Sequence, residues 1–366
     1  MKSVVVLGGY GNFGRPIVEA LANERDCRVL IAGRDAQKAE HLALKIGGNT
    51  QPWVTDCYAN AFSEALRRVE AYLVIHTAGP FQSQSYVVPR ACIDAQCHYV
   101  DLADARAFVC GIRELHQEAE RNRVLVVSGA SSLPALSSAA VDQLASEFSA
   151  IDSIEHAITS GAKPPGVATM NGVLAYAGRC FKQWRDGRWS EAYGWQELTM
   201  RRYPRPLGVR LLASCDVPDL ELFPDRYPSI RTVTFKAGVA PLSHMLAIGL
   251  AAWGVRIGLI ETLVPFVPRL HRLALSREQR GSKHSAMHVT VRGLDLRSRS
   301  HSRTWTLVAG SDHGPFIPSF AAVALARKIL HDEITIRGAV PCVGLLNVDE
   351  ILAVGRGLDI EVRVSG

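Results

Sequence analysis

The sequence predicts an α/β fold, in which a doubly wound parallel sheet is joined to a second α+β domain with a mixed, partly antiparallel sheet. Over residues 1–132, short apolar runs of strand length alternate with segments of helical periodicity, which is the pattern of a parallel sheet with helical crossovers. A glycine-rich turn separates the first run from the first helical segment. The alternation stops after residue 132, and apolar–polar alternation in His288–Val291 and Thr304–Val308 predicts a pair of strands in the second domain.

The first strand and the first helix flank a turn of sequence Gly9-x-Gly11-x-x-Gly14. In such a turn the first glycine permits a tight bend, the second lets the backbone approach a pyrophosphate, and the third lets the helix pack closely on the strand. The phosphates would bind the unpaired N–H groups at the positive end of the helix. Because the glycines follow a predicted strand and open a predicted helix, we expect a Rossmann dinucleotide site; an empty glycine turn is the alternative. The cofactor contacts expected in this turn are Gly9, Tyr10, Gly11, Asn12, Phe13 and Gly14.

The end of the second strand, Cys27–Gly33, bears on the choice of cofactor. A site that prefers NAD carries Asp or Glu near this point, where it binds the ribose 2′-OH. This chain has Arg34 there, and a guanidinium favours a 2′-phosphate through charge-assisted hydrogen bonds. We therefore expect NADP in preference to NAD, with Lys38 placed to assist; a solvated charge at a strand end is the alternative for Arg34.

The remaining elements of the first domain continue the alternation. We predict helices at 36–46, 58–69, 83–95 and 105–122, and strands at 50–54, 71–77, 98–102 and 124–128. Ligands bind such sheets at the carboxyl ends of the strands, where Asp56, Ala78, Gly79 and Pro80 lie. Asp56 could accept a hydrogen bond from the adenine amino group or cap the helix at 58–69. The small residues at 78–80 would let the backbone pass close to the pyrophosphate and the nicotinamide ribose.

Beyond residue 132 the pattern is less regular. We predict a helix over 133–148, a strand over 153–160, a tight turn between Trp184 and Trp189, a helix from 315 to 330 and a last strand over 358–364. The chain then divides into a dinucleotide-binding domain at 1–132, a substrate and dimerisation domain at 133–310, and C-terminal helices and a strand at 311–366 that pack partly back on the first domain.

Composition places the chain among ordinary globular proteins, since 48% of its 366 residues are hydrophobic and 21% are charged. The net charge of +6 comes from residues after 132, because residues 1–132 hold 14 basic and 14 acidic residues. No stacking platform or helix-turn-helix pattern accompanies this charge, so nucleic acid is not expected as a partner. The eight cysteines form no Cys-x-x-Cys pair, and no cluster has metal-ligand spacing, so we expect reduced thiols and no metal site. The chain opens with Met-Lys-Ser and a strand rather than an apolar leader, which predicts a cytoplasmic location.

An apolar segment at 237–268 leaves three roles open. Residues 237–255 carry no formal charge, and nineteen residues just reach the length of a membrane span. Pro241, His244 and three glycines dilute the segment, which favours a core or dimer-interface helix over a helix lying on a membrane surface, and both over a true span. Residues 269–303 hold 9 basic and 2 acidic residues, which keeps peripheral membrane contact through 237–268 open.

Five short motifs together resemble the saccharopine dehydrogenase-like oxidoreductases. They are Val6-Leu-Gly-Gly-Tyr-Gly-Asn-Phe-Gly14, Ala32-Gly-Arg-Asp35, Thr77-Ala-Gly-Pro-Phe81, Ala91-Cys-Ile-Asp-Ala95 and Tyr99-Val-Asp-Leu-Ala-Asp104. The resemblance covers residues 1–135 best, and Arg34 matches the members that use NADP. It implies a Rossmann domain, an inserted substrate domain, C-terminal helices packed on the first domain, and a homodimer. The family is functionally mixed: some members reduce an imine to a secondary amine, and others resemble enoyl reductases that act on lipid-like substrates.

Hydride transfer is the chemistry of the cofactor, and the protein must supply an acid or a base beside the reacting atom. Asp101 and Asp104 follow the fifth strand on the expected edge of the sheet, where they could bind a substrate amine or relay a proton; helix capping is the alternative. Lys163, in a loop rich in Gly and Pro, could meet a substrate carboxylate or be solvated. His76 is expected in the core. The Tyr-x-x-x-Lys pair of short-chain dehydrogenases is absent at all nine tyrosines.

We therefore expect an NADP(H)-dependent oxidoreductase of the saccharopine dehydrogenase-like type, which transfers a hydride to or from a small C=N or C–N substrate. An enoyl reductase acting on an acyl or polyketide substrate is one alternative. A non-catalytic NADP-binding sensor or membrane-associated scaffold is the other.

Overall fold

The computed structural model describes residues 1–161, 166–275 and 282–366 of the chain. The chain divides into two compact units, each formed by two stretches of chain. The first unit comprises Met1–Leu136 and Phe316–Arg356, and the second comprises Ser137–Pro315 and Gly357–Gly366.

Sixteen strands are present in the described residues, numbered here in chain order. They are β1 (Lys2–Leu7), β2 (Cys27–Gly33), β3 (Thr50–Val54), β4 (Ala71–His76), β5 (His98–Asp101), β6 (Leu125–Ser128), β7 (Phe148–Thr159), β8 (Cys180–Arg185), β9 (Arg188–Tyr193), β10 (Thr199–Arg202), β11 (Val209–Ser214), β12 (Thr232–Gly238), β13 (Ser285–Asp295), β14 (Ser300–Ala309), β15 (Gly338–Pro341) and β16 (Ile360–Ser365).

The same parts of the chain form thirteen α-helices. They are α1 (Gly14–Leu21), α2 (Ala36–Ile46), α3 (Phe62–Arg68), α4 (Val87–Asp94), α5 (Arg106–Gly111), α6 (His116–Arg121), α7 (Ser137–Ala145), α8 (Val167–Ala175), α9 (Asp219–Arg226), α10 (Leu242–Arg256), α11 (Val267–Leu275), α12 (Ile317–Leu330) and α13 (Val348–Ala353).

The first unit is built on a seven-stranded sheet with the order β15-β6-β5-β4-β1-β2-β3. Every ladder in it is parallel, which confirms the predicted doubly wound sheet. The strand order reverses between β1 and β4, and sheets of this kind bind ligands at the carboxyl ends of the strands beside such a reversal. Strand β15 has no counterpart in the sequence-based prediction, because two of its four residues, Gly338 and Pro341, are residues that strands disfavour.

The strands of the first unit have continuous apolar sequences because both faces of the sheet are buried. Val4, Val5 and Val6 of β1 are fully buried, as expected where helices cover both faces of a parallel sheet. Helix α12 is a core element, since eleven of its fourteen residues are buried. It is tied to the segment after α1 by Arg327, whose Nε donates to Glu24 Oε1 at 2.8 Å.

Two predicted helices of the first unit are shorter than expected. The helix predicted at 105–122 is interrupted, because a 3₁₀ turn at Ile112–Leu115 separates α5 from α6. Gly111 ends α5, and glycine weakens a helix interior. The helix predicted at 58–69 begins only at Phe62.

The second unit contains a seven-stranded sheet with the order β10-β11-β12-β7-β13-β14-β16. The ladder between β12 and β7 is parallel and the others are antiparallel, which confirms the predicted mixed sheet. Strands β13 and β14 pair with His288 opposite Thr306, as the alternating pattern predicts. Strand β7 already begins at Phe148, so the helix predicted at 133–148 is wrong in its last residues and ends at Ala145.

A separate hairpin of β8 and β9 contains the predicted tight turn between two tryptophans. Asp186 and Gly187 both have positive φ, 52° and 75°, which is the requirement of a type I′ hairpin turn. The rings of Trp184 and Trp189 lie edge to face with centroids 5.2 Å apart.

The middle of the apolar segment forms the fifteen-residue helix α10, which is buried along one side only. Met245, Gly249 and Ala252 are buried, whereas Leu250 is 76% exposed. Full burial of this helix in the core is therefore wrong, whereas a dimer interface or a membrane contact on its exposed side stays a prediction. Within the described residues, no helix combines the length and the apolar character needed to cross a bilayer.

Candidate active site

The glycine turn after β1 is packed too tightly for side chains. The Gly11 N–H donates to Gly8 O at 2.8 Å, and a Cβ on Gly14 would collide with that same carbonyl oxygen. A Cβ on Gly9 would lie 3.0 Å from Val6 O and from Ile31 Cγ2. Close approach of strand, turn and helix thus requires glycine at these positions, as the motif predicts.

The turn leaves donors available at the start of α1. The Arg15 N–H donates to Gly11 O at 3.0 Å, but the N–H groups of Asn12 and Phe13 bond to no backbone acceptor in the part of the chain that the structure describes. Asn12 is exposed, so a ligand can reach this end of the helix. Free N–H groups and the positive end of the helix dipole suit a phosphate or pyrophosphate.

The loop after β4 is held against this turn by side chains that the sequence analysis did not single out. Thr77 Oγ1 donates to Leu7 O at 2.8 Å and to Gly8 O at 3.2 Å. Gln84 Nε2 donates to Ala78 O at 2.8 Å and to Pro80 O at 3.0 Å. The predicted contact residues Ala78, Gly79 and Pro80 therefore lie in a fixed loop beside the glycine turn, because β4 is the direct neighbour of β1.

A pocket of about 670 Å³ lies at the carboxyl end of β2. Its lining residues are Tyr10, Arg34, Asp35, Ala36, Gln37 and Lys38. The Tyr10 ring covers Gly33, since a Cβ there would lie 2.6 Å from Tyr10 Cζ, and the Tyr10 hydroxyl accepts from the Asp35 N–H at 3.1 Å. Tyr10 is thus part of the pocket wall and joins the glycine turn to the end of β2.

The two basic side chains of this pocket differ in whether a carboxylate neutralises them. Lys38 Nζ pairs with Asp35 Oδ2 at 2.9 Å, and Asp35 Oδ1 caps α2 by accepting from the Lys38 N–H at 3.1 Å. These bonds from Lys38 lower the pKa of Asp35. Arg34 is exposed and forms no hydrogen bond or ion pair with the residues described. The pocket therefore offers one uncompensated guanidinium, and Lys38 is already paired with a carboxylate.

Asp56 follows β3, next to β2 in the sheet. It is exposed, and its Oδ1 accepts from the Tyr58 N–H at 3.0 Å. Helix α3 starts later, with Ala61 at its N-cap and no side-chain cap. The alternative role of Asp56 as a helix cap is therefore wrong, because its side chain bonds to the turn immediately after it. Its place at the carboxyl edge is the one expected for an adenine contact.

Asp101, at the end of β5, is fully buried. Its Oδ1 accepts from the Ala103 N–H at 2.9 Å, the Gly129 N–H at 2.8 Å and Ser128 Oγ at 2.9 Å. Burial raises the pKa of Asp101 to about 6. These bonds join the ends of β5 and β6, so the placement favours a structural role for this carboxyl group.

Asp104 and Lys163 complete the catalytic candidates. Asp104 is exposed, and its Oδ1 accepts from Gln82 Nε2 at 3.2 Å, which keeps it available at the carboxyl edge. Lys163 lies outside the described residues. His76 is buried, as expected, with Nδ1 3.0 Å from the Tyr99 hydroxyl, and burial lowers its pKa to about 4.

The second unit holds a polar cluster that the sequence analysis missed. Glu155 of β7 accepts from Arg201 Nη1 at 3.2 Å, and Tyr203 is hydrogen-bonded to His288 Nδ1 at 2.8 Å. His288 and Glu155 come together because β13 and β7 are paired, with Thr290 opposite Glu155. The signal available in the sequence was the polar series His288, Thr290, Arg292 at every second position of one strand.

Arg210 gives this cluster an uncompensated cation. It lies directly opposite Arg201 in the β10–β11 hairpin, so both side chains leave the same face. Its Nε and Nη2 are buried without a hydrogen-bond partner in the described part of the chain, and burial lowers its pKa. A carboxylate or phosphate is the ligand that such a guanidinium binds best.

Comparison with known proteins bears on both units. Residues 4–127 match the family model of the saccharopine dehydrogenase NADP binding domain. This match confirms the resemblance over those residues, which include β1 to β6 of the first sheet except their outermost residues.

A curated relative matches part of the same region. The trans-acting enoyl reductase of Mycobacterium leprae (strain TN) is 28% identical over 138 residues, which make up 36% of this chain and 33% of that protein. The match therefore spans about a third of the length of the relative.

Two solved structures resemble the chain along its length. Apo saccharopine dehydrogenase (L-Glu forming) from Saccharomyces cerevisiae matches with a TM-score of 0.70 and 14% identity, covering 100% of both chains. The homospermidine synthase of Legionella pneumophila, in complex with NAD, matches with a TM-score of 0.61 and 11% identity, covering 100% of this chain and 91% of the other. At these identities the likeness shows a shared fold.

Proposed function

We propose that this protein is an NADP(H)-dependent oxidoreductase that transfers a hydride to or from a C=N or C–N substrate. The observation that carries the proposal is the uncompensated guanidinium of Arg34, in the pocket next to the glycine turn. NADP, when bound, would supply the hydride chemistry.

The site residues fit a dinucleotide on steric and electrostatic grounds. The turn from Gly9 to Gly14 excludes any Cβ at Gly14, which leaves backbone N–H groups for the pyrophosphate. Arg34 would bind the 2′-phosphate, and Asp56 would accept from the adenine amino group. Asp35, whose charge is compensated by Lys38, does not act as the free carboxylate that an NAD-preferring site places on the ribose.

The substrate class rests on the family resemblance. Asp104 is the candidate proton relay, because it is exposed where Asp101 is buried. We also propose that the protein is a homodimer, which sedimentation of the purified protein would test, and that it is cytoplasmic, which fractionation of cells would test.

Titration with NADPH and NADH tests the cofactor assignment, with nicotinamide fluorescence as the readout. The wild-type protein should bind NADPH more tightly, and Arg34→Ala should weaken NADPH binding by about 10- to 100-fold, the loss expected for a charge-assisted hydrogen bond. NADH binding should change little. Arg68→Ala, which removes an exposed arginine on α3, is the matched control. If Arg34→Ala weakens both nucleotides equally, Arg34 does not read the 2′-phosphate.

An enoyl reductase is the second candidate, favoured by the partial match to the M. leprae protein. Oxidation of NADPH should be followed with imines of amino acids and with enoyl thioesters in parallel. Turnover of the imines alone would support the proposal, and turnover of the enoyl thioesters alone would replace it. NADPH binding without turnover of either panel would favour a non-catalytic sensor.

A further inference from the structure

Helix α10 presents a row of large apolar side chains to solvent. The exposed fractions are 59% for Leu242, 52% for Leu246, 76% for Leu250, 51% for Trp253 and 61% for Ile257. At 3.6 residues per turn, these five positions fall within about 80° of arc. They therefore form one stripe along the helix rather than scattered exposures.

The stripe is held rigidly by the other side of the helix. Met245 and Ala252 are fully buried and pack in a core cluster with Leu174, Trp195 and Val267. Trp195 Nε1 donates to Val173 O at 3.0 Å, which fixes the ring beneath α10. The exposed stripe is thus not the result of a loosely attached helix.

Apolar exposure continues beyond α10. Leu259 is 79% exposed, and Phe266 and Leu275 are close to half exposed. We call the exposed apolar side chains between residues 242 and 275 the apolar surface. Exposed apolar side chains in such number mark a protein or membrane contact.

The charges around the apolar surface discriminate between those partners. Residues 237–275 contain Arg256, Arg269 and Arg272 but only one acidic residue, Glu261. A two-fold contact between copies places the same patch on both sides, so neither side would supply negative charge for the excess of arginines. An anionic bilayer instead offers apolar depth to the leucines and negative charge to the arginines.

Trp253 of the apolar stripe is in contact with Arg256, one of these arginines. The Arg256 guanidinium lies 4.8 Å from the Trp253 ring centroid and 3.8 Å from that of Tyr193. Tryptophan and arginine are the residues that occupy the level of the lipid headgroups.

We propose that the apolar surface docks the protein on the face of an anionic phospholipid bilayer, with α10 lying in the plane of the interface. The leucines of the stripe enter the acyl boundary, and Arg256, Arg269 and Arg272 lie at headgroup level. The proposal is independent of the proposed enzymatic function.

Flotation of the full-length protein with vesicles tests this surface. Vesicles of phosphatidylcholine with phosphatidylserine should bind the protein about tenfold more tightly than phosphatidylcholine alone, and salt should weaken the binding. Leu246→Glu and Leu250→Glu should each reduce binding about tenfold or more, since each places a charge at an inserted position. Leu296→Glu changes another exposed leucine, 73% exposed on the β13–β14 turn, and should bind as the wild type does.

Further measurements distinguish a contact with lipid from a contact with another protein. Brominated lipid should quench tryptophan fluorescence in the wild type, and Trp253→Phe should remove most of that quenching. The variants replace exposed side chains, so their thermal unfolding should match that of the wild type. Failure of the wild type to float with either vesicle overturns the proposal. The proposal is also overturned if the protein is a dimer in solution and Leu250→Glu dissociates the dimer without changing vesicle binding. The apolar surface would then be an interface between two copies.

Discussion

His76 and Asp101 lie opposite each other at the ends of β4 and β5, and both are fully buried. Burial acts on them in opposite directions, since it lowers the pKa of His76 to about 4 and raises that of Asp101 to about 6. At neutral pH the imidazole is uncharged and bonded to Tyr99. Asp104, in contrast, is exposed.

His76→Gln should flatten the acid side of the stability curve. Because the folded-state pKa of His76 lies below its ordinary value of 6.5, the folded protein binds fewer protons than the unfolded chain between pH 6.5 and pH 4. The free energy of unfolding should therefore fall as pH falls through this window, by at most about 3 kcal/mol from this group. Urea unfolding at several pH values measures the difference between variant and wild type.

Asp101 contributes a slope of the opposite sign between about pH 4 and pH 6, because the folded protein takes up its proton first. That contribution is present in both proteins, so the difference between their curves reports the replacement of His76. Parallel curves for His76→Gln and wild type would show that His76 is not held neutral by burial.

At the scale of elements, the β10–β11 hairpin depends on a side chain from another strand. Glu155 of β7 accepts from Arg201 of β10 at 3.2 Å and from Arg292 of β13 at 3.4 Å. The proximity of His288, whose Nε2 lies 3.9 Å from Glu155 Oε1, together with these arginines lowers the pKa of Glu155 to about 2. The carboxylate is thus charged at neutral pH and neutralises Arg201, while Arg210 on the same hairpin face stays uncompensated.

Glu155→Gln should loosen this hairpin. Without the carboxylate, Arg201 and Arg210 are two adjacent like charges, which destabilise a cross-strand pair. We expect amide hydrogen exchange over residues 199–212 to rise several-fold, as measured by mass spectrometry of peptides. Glu361→Gln, which breaks an exposed pair with Arg363, is the control. Equal exchange in both variants would mean that packing of Tyr203 and Leu207 alone holds the hairpin.

At the scale of the whole molecule, each unit includes strands or helices from the C-terminal part of the chain. The first unit takes β15 and α12 from residues after 315, and the second takes β16 from the last ten residues. Strand β15 pairs with β6 along Leu125–Ser128, and α12 packs on α1. The first sheet is therefore incomplete until the chain has returned to it.

A chain that ends at residue 315 should not form a stable first unit. Its loss of α12 exposes the apolar residues that this helix covers, so we expect aggregation and no NADPH binding. A chain that ends at residue 356 keeps β15 and α12 and loses only β16, so its first unit should still bind NADPH. Soluble protein ending at 315 with wild-type NADPH affinity would contradict the role assigned to α12.

The fold of the first unit could be predicted because the residues that define each strand and the glycine turn lie close together in the sequence. Each buried strand is a short apolar run, and the residues of the glycine turn are neighbours in the chain, as are Gly33 and Arg34. Parallel pairing then brings the ends of β1, β2, β3 and β4 to one edge without any further information. Asp56 shows the limit, since its side chain bonds to the nearby Tyr58 N–H, which the sequence did not reveal, and does not form the helix cap that was one of its two expected roles.

The sequence by itself determined the doubly wound sheet, the position of the dinucleotide turn and the basic residue at the end of β2. Only the tertiary structure decided that Asp101 is buried, that Glu155, Arg201 and His288 meet, and that α10 turns its leucines outward. The physical reason is the distance along the chain between the interacting residues. The periodicity of a segment indicates which side of that helix or strand is apolar. Whether that side meets a core, and which distant strand supplies a partner charge, depends on contacts between residues far apart in the chain.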